Sequence, residues 1–355
     1  MLTEPEVLEI LRSGEVDLTP LTVQETVIEP GLVPRRPDVA LRLSWGDWSA
    51  VFAGEIIGVS TPKALEGALA QARRYGGADV LPLVITPYLS PESLRRCLDE
   101  EVSAFDLGGN AAIVVPGRVA VCRTGAPNQY PASRDIKSIY RGKSSLVPRV
   151  FLLFPRFELV GDILTEIRRR GGDLSLGTVS KVLKGLEDDL VVRKQPSIEV
   201  LQAGRLLDRL VENYAADRVK PRTSADIKLD LSSDSLWKLR RACDQLELRC
   251  VGASLGPDDP VPDTGIPNIY VEDLDRVMSA MDLSPVPRFG TVTLLESTDL
   301  RVYFDRRDRE GFFWSSPLQR YLELAVSGKR ERELGAVLRD SILGRFDASG
   351  GLLNG

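Results

Sequence analysis

Apolar residues recur in three short runs between positions 146 and 186. Leu146, Val147, Val150, Phe151 and Phe154 share one helical face, and Leu159, Ile163 and Ile167 share a second. Leu176, Val179, Leu183 and Leu186 make a third with 3-4-3 spacing. The spacing predicts three short helices closing a trihelical core. Ser175 stands where the third helix needs an N-cap, and Gly171-Gly172-Asp173 supply a tight turn before it. Beyond it, 190–193 and 197–201 are β-prone runs split by Gln195-Pro196, which predicts a hairpin. The whole stretch reads as a winged helix-turn-helix. Leu206, Leu207, Leu210, Val211 and Tyr214 add an amphipathic helix, so the domain is taken as 145–222.

Upstream the pattern predicts, from 5 to 123, the order helix, three strands, helix, strand, helix, two strands. The first helix is 5–12; the β-rich runs 21–28, 39–44 and 49–57 are joined by turns at Pro30-Gly31 and Gly46-Asp47. Residues 62–75 form a helix with proline in its first turn and Leu65, Leu69 and Ala72 on one face. The apolar run 80–86 reads as a buried strand, 91–99 as a helix, and 111–115 with 119–122 as a closing pair around Pro116-Gly117. This is a mixed α/β sheet with crossovers over 1–125. Asp106-Leu107-Gly108-Gly109-Asn110 reads either as a turn in which Asp106 bonds its own amides or as a substrate contact. Residues 126–144, with Arg134, Lys137, Arg141 and Lys143, read as a basic linker. From 223 to 355 the strand-like runs 249–252, 269–271, 291–295 and 300–304, then helical 316–326 and 331–343, make a C-terminal α+β domain. The fold class is therefore α/β and α+β, multidomain.

Composition narrows the chemistry. The chain has 355 residues, 43% hydrophobic and 27% charged, with no apolar run long enough to span a bilayer and an acidic rather than signal-like start. The expectation is a cytoplasmic protein with no membrane partner. There is no histidine, and the 4 cysteines lack CxxC spacing, which excludes the usual structural zinc sites and Ser-His-Asp or Cys-His catalysis. The cysteines read as small core residues. Net charge is −5, yet 134–222 holds 18 Lys/Arg against 12 Asp/Glu. That concentration points to double-stranded DNA as partner.

On this reading the third helix enters the major groove. Lys181 and Lys184 hold phosphates, Ser175, Thr178 and Ser180 approach backbone and base edges, Arg193 and Lys194 on the wing touch the adjacent backbone, and Arg141 and Lys143 track it from the linker. The acidic end, Glu187-Asp188-Asp189, points away from phosphates. The competing reading is a winged helix that has lost DNA and serves as a protein-docking scaffold.

The element order of the first domain resembles the core of the PD-(D/E)XK (restriction endonuclease-like) nucleases. Asp38 lies at the start of the second strand, Glu55 within the third, and Gln71 and Tyr75 in the next helix look like the QxxxY element of some members. The resemblance implies that Asp38 and Glu55 hold a divalent ion such as Mg²⁺. The match breaks at the lysine: Glu-x-Lys is replaced by Glu55-Ile56-Ile57, leaving Lys63 as the substitute candidate. The expectation is a degenerate core with no catalytic residues and no cofactor. The alternative is a metal-dependent endonuclease targeted by the winged helix.

The winged helix, the helix after it and the run 315–324 resemble the AbiEi-type antitoxin and transcriptional-regulator family of type IV toxin-antitoxin systems, over roughly 145–345. The resemblance implies promoter binding through the winged helix and opposition to a nucleotidyltransferase toxin. That toxin and a second copy of the chain, as a homodimer, are the candidate protein partners, and a purely protein-binding antitoxin is a third reading. Asp258-Asp259 beside Gly252-Ala253-Ser254 resembles a nucleotidyltransferase only in part, since its GS and DxD elements are not formed.

Overall fold

Burial alternates along β2 (Val39–Trp45), where Val39, Leu41 and Leu43 are buried and their neighbours are not. Such alternation is what a strand with one face on a core requires. The computed structural model describes residues 2–26, 36–77, 79–130, 137–215, 218, 220–256 and 266–347. They form two compact units, residues 1–136 with 188–190 and residues 137–187 with 191–355. The Pro30-Gly31 turn, Arg134 and Asp258-Asp259 lie outside the described residues.

In the first unit, α1 (Glu4–Ser13) precedes β1 (Thr22–Glu25), β2 and β3 (Trp48–Ile56); then come α2 (Pro62–Ala72), β4 (Val80–Thr86), α3 (Pro91–Asp99), β5 (Ser103–Asp106), β6 (Ala111–Val115) and β7 (Val119–Arg123). They build a curled 7-stranded sheet in the order β1-β2-β3-β4-β5-β6-β7. β1 to β3 are antiparallel, β3–β4 and β4–β5 parallel, and β5 to β7 antiparallel again. The parallel pairs need crossovers, which α2 and α3 supply. Each crossover helix starts on a hydroxyl cap and a proline: Thr61 accepts from the Ala64 amide and Ser90 from the Ser93 amide. Phe52, Ile56, Leu83, Ile85 and Phe105 fill one face with Val7 of α1, and Ala53, Val84 and Ala104 fill the other with Leu65, Leu69 and Leu94.

β5 is an addition to the order expected from the sequence, which passed from α3 to a turn. All four of its residues are buried, so no alternation marks it. The turn after it is built as a closed unit. Asp106 accepts from the Gly108 and Asn110 amides at 2.9 and 2.8 Å, from the Leu89 amide at 2.7 Å and from the Asn110 side chain at 2.7 Å. Gly109 sits at φ 98°, and a Cβ there would meet the Asp17 carbonyl at 2.6 Å.

The second unit opens with two 3-10 turns, Lys137–Tyr140 and Gly142–Ser145, followed by α4 (Leu146–Phe151), β8 (Arg156–Phe157), α5 (Val160–Arg169), α6 (Leu176–Asp188), β9 (Val192–Arg193), β10 (Ile198–Val200) and α7 (Ala203–Tyr214). The three strands are antiparallel in the order β8-β10-β9. Residues 139–144, expected as part of a linker, are anchored to the unit instead, because Ile139 and Tyr140 bury themselves. Two more expectations need correction. Leu159 and Leu176 are 66% and 51% exposed, since each stands at the start of its helix, before the apolar stripe reaches the core. The stripes that pack are Ile163, Leu164 and Ile167, and Val179, Val182, Leu183 and Leu186. Gly171 takes φ 82°, and a Cβ on Gly172 would meet Ile167 Cγ2 at 2.7 Å, so the α5–α6 turn tolerates neither side chain.

The rest of this unit comprises β11 (Ser224–Ile227), α8 (Ser233–Gln245), β12 (Cys250–Gly252), β13 (Asn268–Val271), α9 (Leu274–Ala280), β14 (Val292–Glu296), α10 (Leu300–Tyr303), β15 (Arg307–Arg309), β16 (Phe312–Trp314), α11 (Pro317–Ala325) and α12 (Lys329–Asp347). Its sheet runs β11-β14-β13-β12-β16-β15. The run 300–304, strand-like by composition, is helical because Asp299 caps it through the Arg301 amide. Arg149 of α4 is buried; it donates to Gln319 Oε1 at 2.7 Å, while Gln319 Nε2 donates to the Tyr214 hydroxyl at 2.9 Å, tying α4, α7 and α11 together. Burial pulls the Arg149 guanidinium down to about 10. Cys97, Cys243 and Cys250 are buried as expected of core cysteines, but Cys122 is exposed. Among the described residues no helix is long and apolar enough to cross a membrane.

Candidate nucleic-acid interface and carboxylate cluster

The outward stripe of α6 follows from its inward one. With Val179, Val182, Leu183 and Leu186 buried, helical geometry turns Gly177, Ser180, Lys181 and Lys184 away from the core, and all four are exposed. The Lys181 and Lys184 side chains make no ion pair or hydrogen bond among the described residues. Ser175 caps the helix: its Oγ accepts from the Thr178 amide at 3.1 Å and lies 2.9 Å from the Thr178 hydroxyl. Thr178 is thus half-buried at the edge of the face and engaged with the cap, whereas Ser180 is open. A Cβ on Gly185 would meet Ile139 Cγ2 at 2.9 Å, so the first 3-10 turn packs closely against this helix.

The hairpin cations are held differently. Arg193 is ion-paired with Glu199 across β9 and β10, and Lys194 with Glu187 at 2.9 Å. Both would have to exchange these acids for phosphate. Arg141 donates through Nε to Asn213 Oδ1 at 3.1 Å, and Lys143 is exposed. Arg168, in the last turn of α5, lies outside the set expected from the sequence; it is exposed and, unlike Arg169, makes no ion pair among the described residues. The run Arg168-Arg169-Arg170 is its signal, a weak one because it interrupts no apolar period.

In the first unit the register of β2 and β3 pairs Val39 with Gly54, which sets Asp38 one step beyond, opposite Glu55. The Asp38 carboxylate accepts from the Ile56 amide at 2.8 Å. Glu55 accepts from the Tyr75 hydroxyl at 2.6 Å, and Gln71 Nε2 donates to the same hydroxyl at 3.1 Å. Asp38, Glu55, Gln71 and Tyr75 are therefore brought to one place in the fold. Burial pushes the Glu55 carboxyl up, against the Tyr75 hydrogen bond, and the Asp38 charge adds to the rise. Burial and the Glu55 carboxylate push the Tyr75 phenol up to about 12, which keeps it a donor at neutral pH.

The position that would carry the lysine has a different chemistry. Ile57 is half-buried and packs on the apolar cluster beneath α2, and its amide donates to the Ile85 carbonyl at 2.9 Å. Lys63 is exposed in the first turn of α2. Two carboxylates, each already accepting one hydrogen bond, could offer oxygens to a hard cation. Among the described residues no group of three or more Asp, Glu, Cys or His side chains could hold a metal. Hydrolysis would also need a group to orient the attacking water, and the Ile57 side chain offers no polar atom for that purpose. Compared with known proteins, the chain matches no family model, no curated protein and no solved structure.

Proposed function

We propose that the protein is a DNA-binding transcriptional regulator of AbiEi antitoxin type, acting in the cytoplasm, with α6 entering the major groove. The observation that carries this is the exposed Ser180, Lys181 and Lys184 stripe on a capped helix whose other face is buried. The order helix, strand, helix, helix, strand, strand, with β10 between β8 and β9, supports a winged helix. Lys181 and Lys184 hold phosphates, Ser180 faces base edges with Thr178 at the margin, and Arg193 and Lys194 reach the backbone after releasing Glu199 and Glu187. A nucleotidyltransferase toxin and a second copy of the chain are the protein partners of this reading. The test is genomic footprinting of the purified protein with Mg²⁺ present, which reports binding and cutting together. Protected sites without cleavage are expected; no protection anywhere would remove DNA from the function.

For the first unit we propose a PD-(D/E)XK-like core retained without catalysis. Its helix, three strands, helix, strand order with β3 and β4 parallel, and the Glu55–Tyr75–Gln71 chain beside Asp38, support the likeness. Ile57 in the lysine position argues against turnover. The second reading, a Mg²⁺-dependent endonuclease using Asp38 and Glu55, is tested by the same footprint: metal-dependent cuts that vanish with Glu55→Ala would establish it.

A further inference from the structure

A cleft of about 410 Å³ opens in the second unit where the end of α5 meets the segment after α10. Arg169, Arg170, Arg249, Arg306 and Arg307 line it, and Asp305 is the acid among the lining residues. Asp305 is shared by Arg170 and Arg307, and Glu166 by Arg169 and Arg170. Glu272 approaches Arg249 only to 3.8 Å, beyond hydrogen-bond reach. Four guanidiniums thus share three carboxylates, and the fifth, Arg306, faces none of them and donates to the Cys250 carbonyl at 3.1 Å. Two of their nitrogens, Arg249 Nη1 and Arg307 Nε, are buried with no acceptor among the described residues. A buried charged donor left unpaired is costly, so the carboxylates present leave this cluster short of acceptors. The arginines also oppose one another: after burial, the Arg169 charge is what holds the Arg307 guanidinium below its usual range.

The chemistry of the acceptor follows from the donors. Guanidinium forks match the tetrahedral oxygens of phosphate, and several forks around one cleft favour a multiply charged anion over a single carboxylate. Phe313 also lines the cleft, but the Arg240 and Arg306 guanidiniums lie over its ring at 4.0 and 3.8 Å, which requires opposite faces. No ring face is left for a base to stack on, so recognition falls on the phosphates. The volume lies in the range of about 300–1,000 Å³ usual for small-molecule sites, and such sites are concave.

We propose that this cleft binds a small polyphosphate group, free as pyrophosphate or carried by a nucleotide, through Arg169, Arg249, Arg306 and Arg307. The site goes beyond the DNA-binding reading and does not depend on it. Its place at the α5–α6 turn puts the ligand next to the helix proposed to read DNA.

Isothermal titration of the full chain with inorganic pyrophosphate and, separately, with ADP tests this in Mg²⁺-free buffer without DNA. Saturable binding of pyrophosphate is expected. Equal affinity for ADP assigns recognition to the phosphates alone, and tighter ADP binding assigns it to a nucleotide. Arg249→Ala and Arg307→Ala should each weaken binding about tenfold or more. If either variant fails to fold, Arg169→Ala serves instead, because Arg169 is 64% exposed and Glu166 keeps Arg170 as partner. No saturable heat with either probe up to millimolar concentration overturns the proposal, as does binding unaffected by the arginine variants. Loss of duplex affinity in those variants with no pyrophosphate binding would make the cleft a DNA-backbone contact and also overturn it.

Discussion

The carboxylate cluster of the first unit and the α6 face of the second treat their charged groups in opposite ways. Glu55 is held by Tyr75, Tyr75 by Gln71, and Asp38 by a backbone amide, so each charge is already used within the fold. Lys181 and Lys184 are solvated and unpaired among the described residues. A group bonded inside its own domain gains less from an external ligand, because binding must first break what folding made. The cations of α6 lose only water. Charge count alone hides this distinction: of the basic residues behind the positive balance of 134–222, Arg149 is buried, and Arg170, Arg193 and Lys194 are paired with acids.

The comparison can be broken most forcefully at Ile57. The wild-type protein should show no detectable cleavage of plasmid, linear or single-stranded DNA in Mg²⁺ or Mn²⁺. Ile57→Lys restores Glu-x-Lys, and a preorganised ammonium near the attacking water is worth about a hundredfold or more in rate. Weak metal-dependent nicking by that variant, lost again with Glu55→Ala, is the expected result on agarose gels. Wild-type cleavage abolished by Asp38→Ala would mean that the cluster is a working site and that Lys63 belongs to it.

A smaller effect sharpens the other side. Lys181→Ala with Lys184→Ala should weaken binding to all duplexes roughly tenfold, about 1.4 kcal/mol. The slope of log affinity against log salt should flatten by about 0.9 per lysine removed. Arg193→Ala and Lys194→Ala should change it less, since each also frees an acid. Equal slopes for both pairs, read by fluorescence anisotropy, would erase the difference between solvated and paired cations.

Stability should divide the regions in the reverse sense. Tyr75→Phe removes the hydroxyl that Glu55 accepts from and should cost about 1–2 kcal/mol in urea unfolding. Lys181→Ala should stay within about 0.5 kcal/mol of the wild type. A neutral Tyr75→Phe would show that the Glu55 bond does not outcompete water.

The smallest effect is a pH dependence. Burial raises the folded-state pKa of Glu55, so the folded chain holds this proton more tightly than the unfolded chain. Its contribution is full below the ordinary carboxylate range and is lost as pH rises through the raised value. Glu55→Gln, which mimics the protonated form, should therefore gain stability relative to the wild type as pH rises from acid to neutral. A constant difference across that window would mean that Glu55 titrates normally.

Periodicity alone determined the α2 and α3 crossovers, the trihelical stretch and its hairpin, because each rests on contacts a few residues apart: a hydroxyl cap, a proline in the first turn, an apolar stripe. Gln71 and Tyr75 were singled out beside Glu55 only by the likeness to the QxxxY element, and the structure joins them through the Tyr75 hydroxyl. Tertiary structure decided the rest. β5 is buried on both faces and leaves no alternation to read. Residues 139–144 look like part of a linker by composition but are anchored through Ile139 and Tyr140. Whether a cation is free or paired depends on acids distant in sequence, as Asp305 is from Arg170. The five arginines of the cleft come from three stretches of the chain far apart in sequence, so they meet only once the second unit has folded.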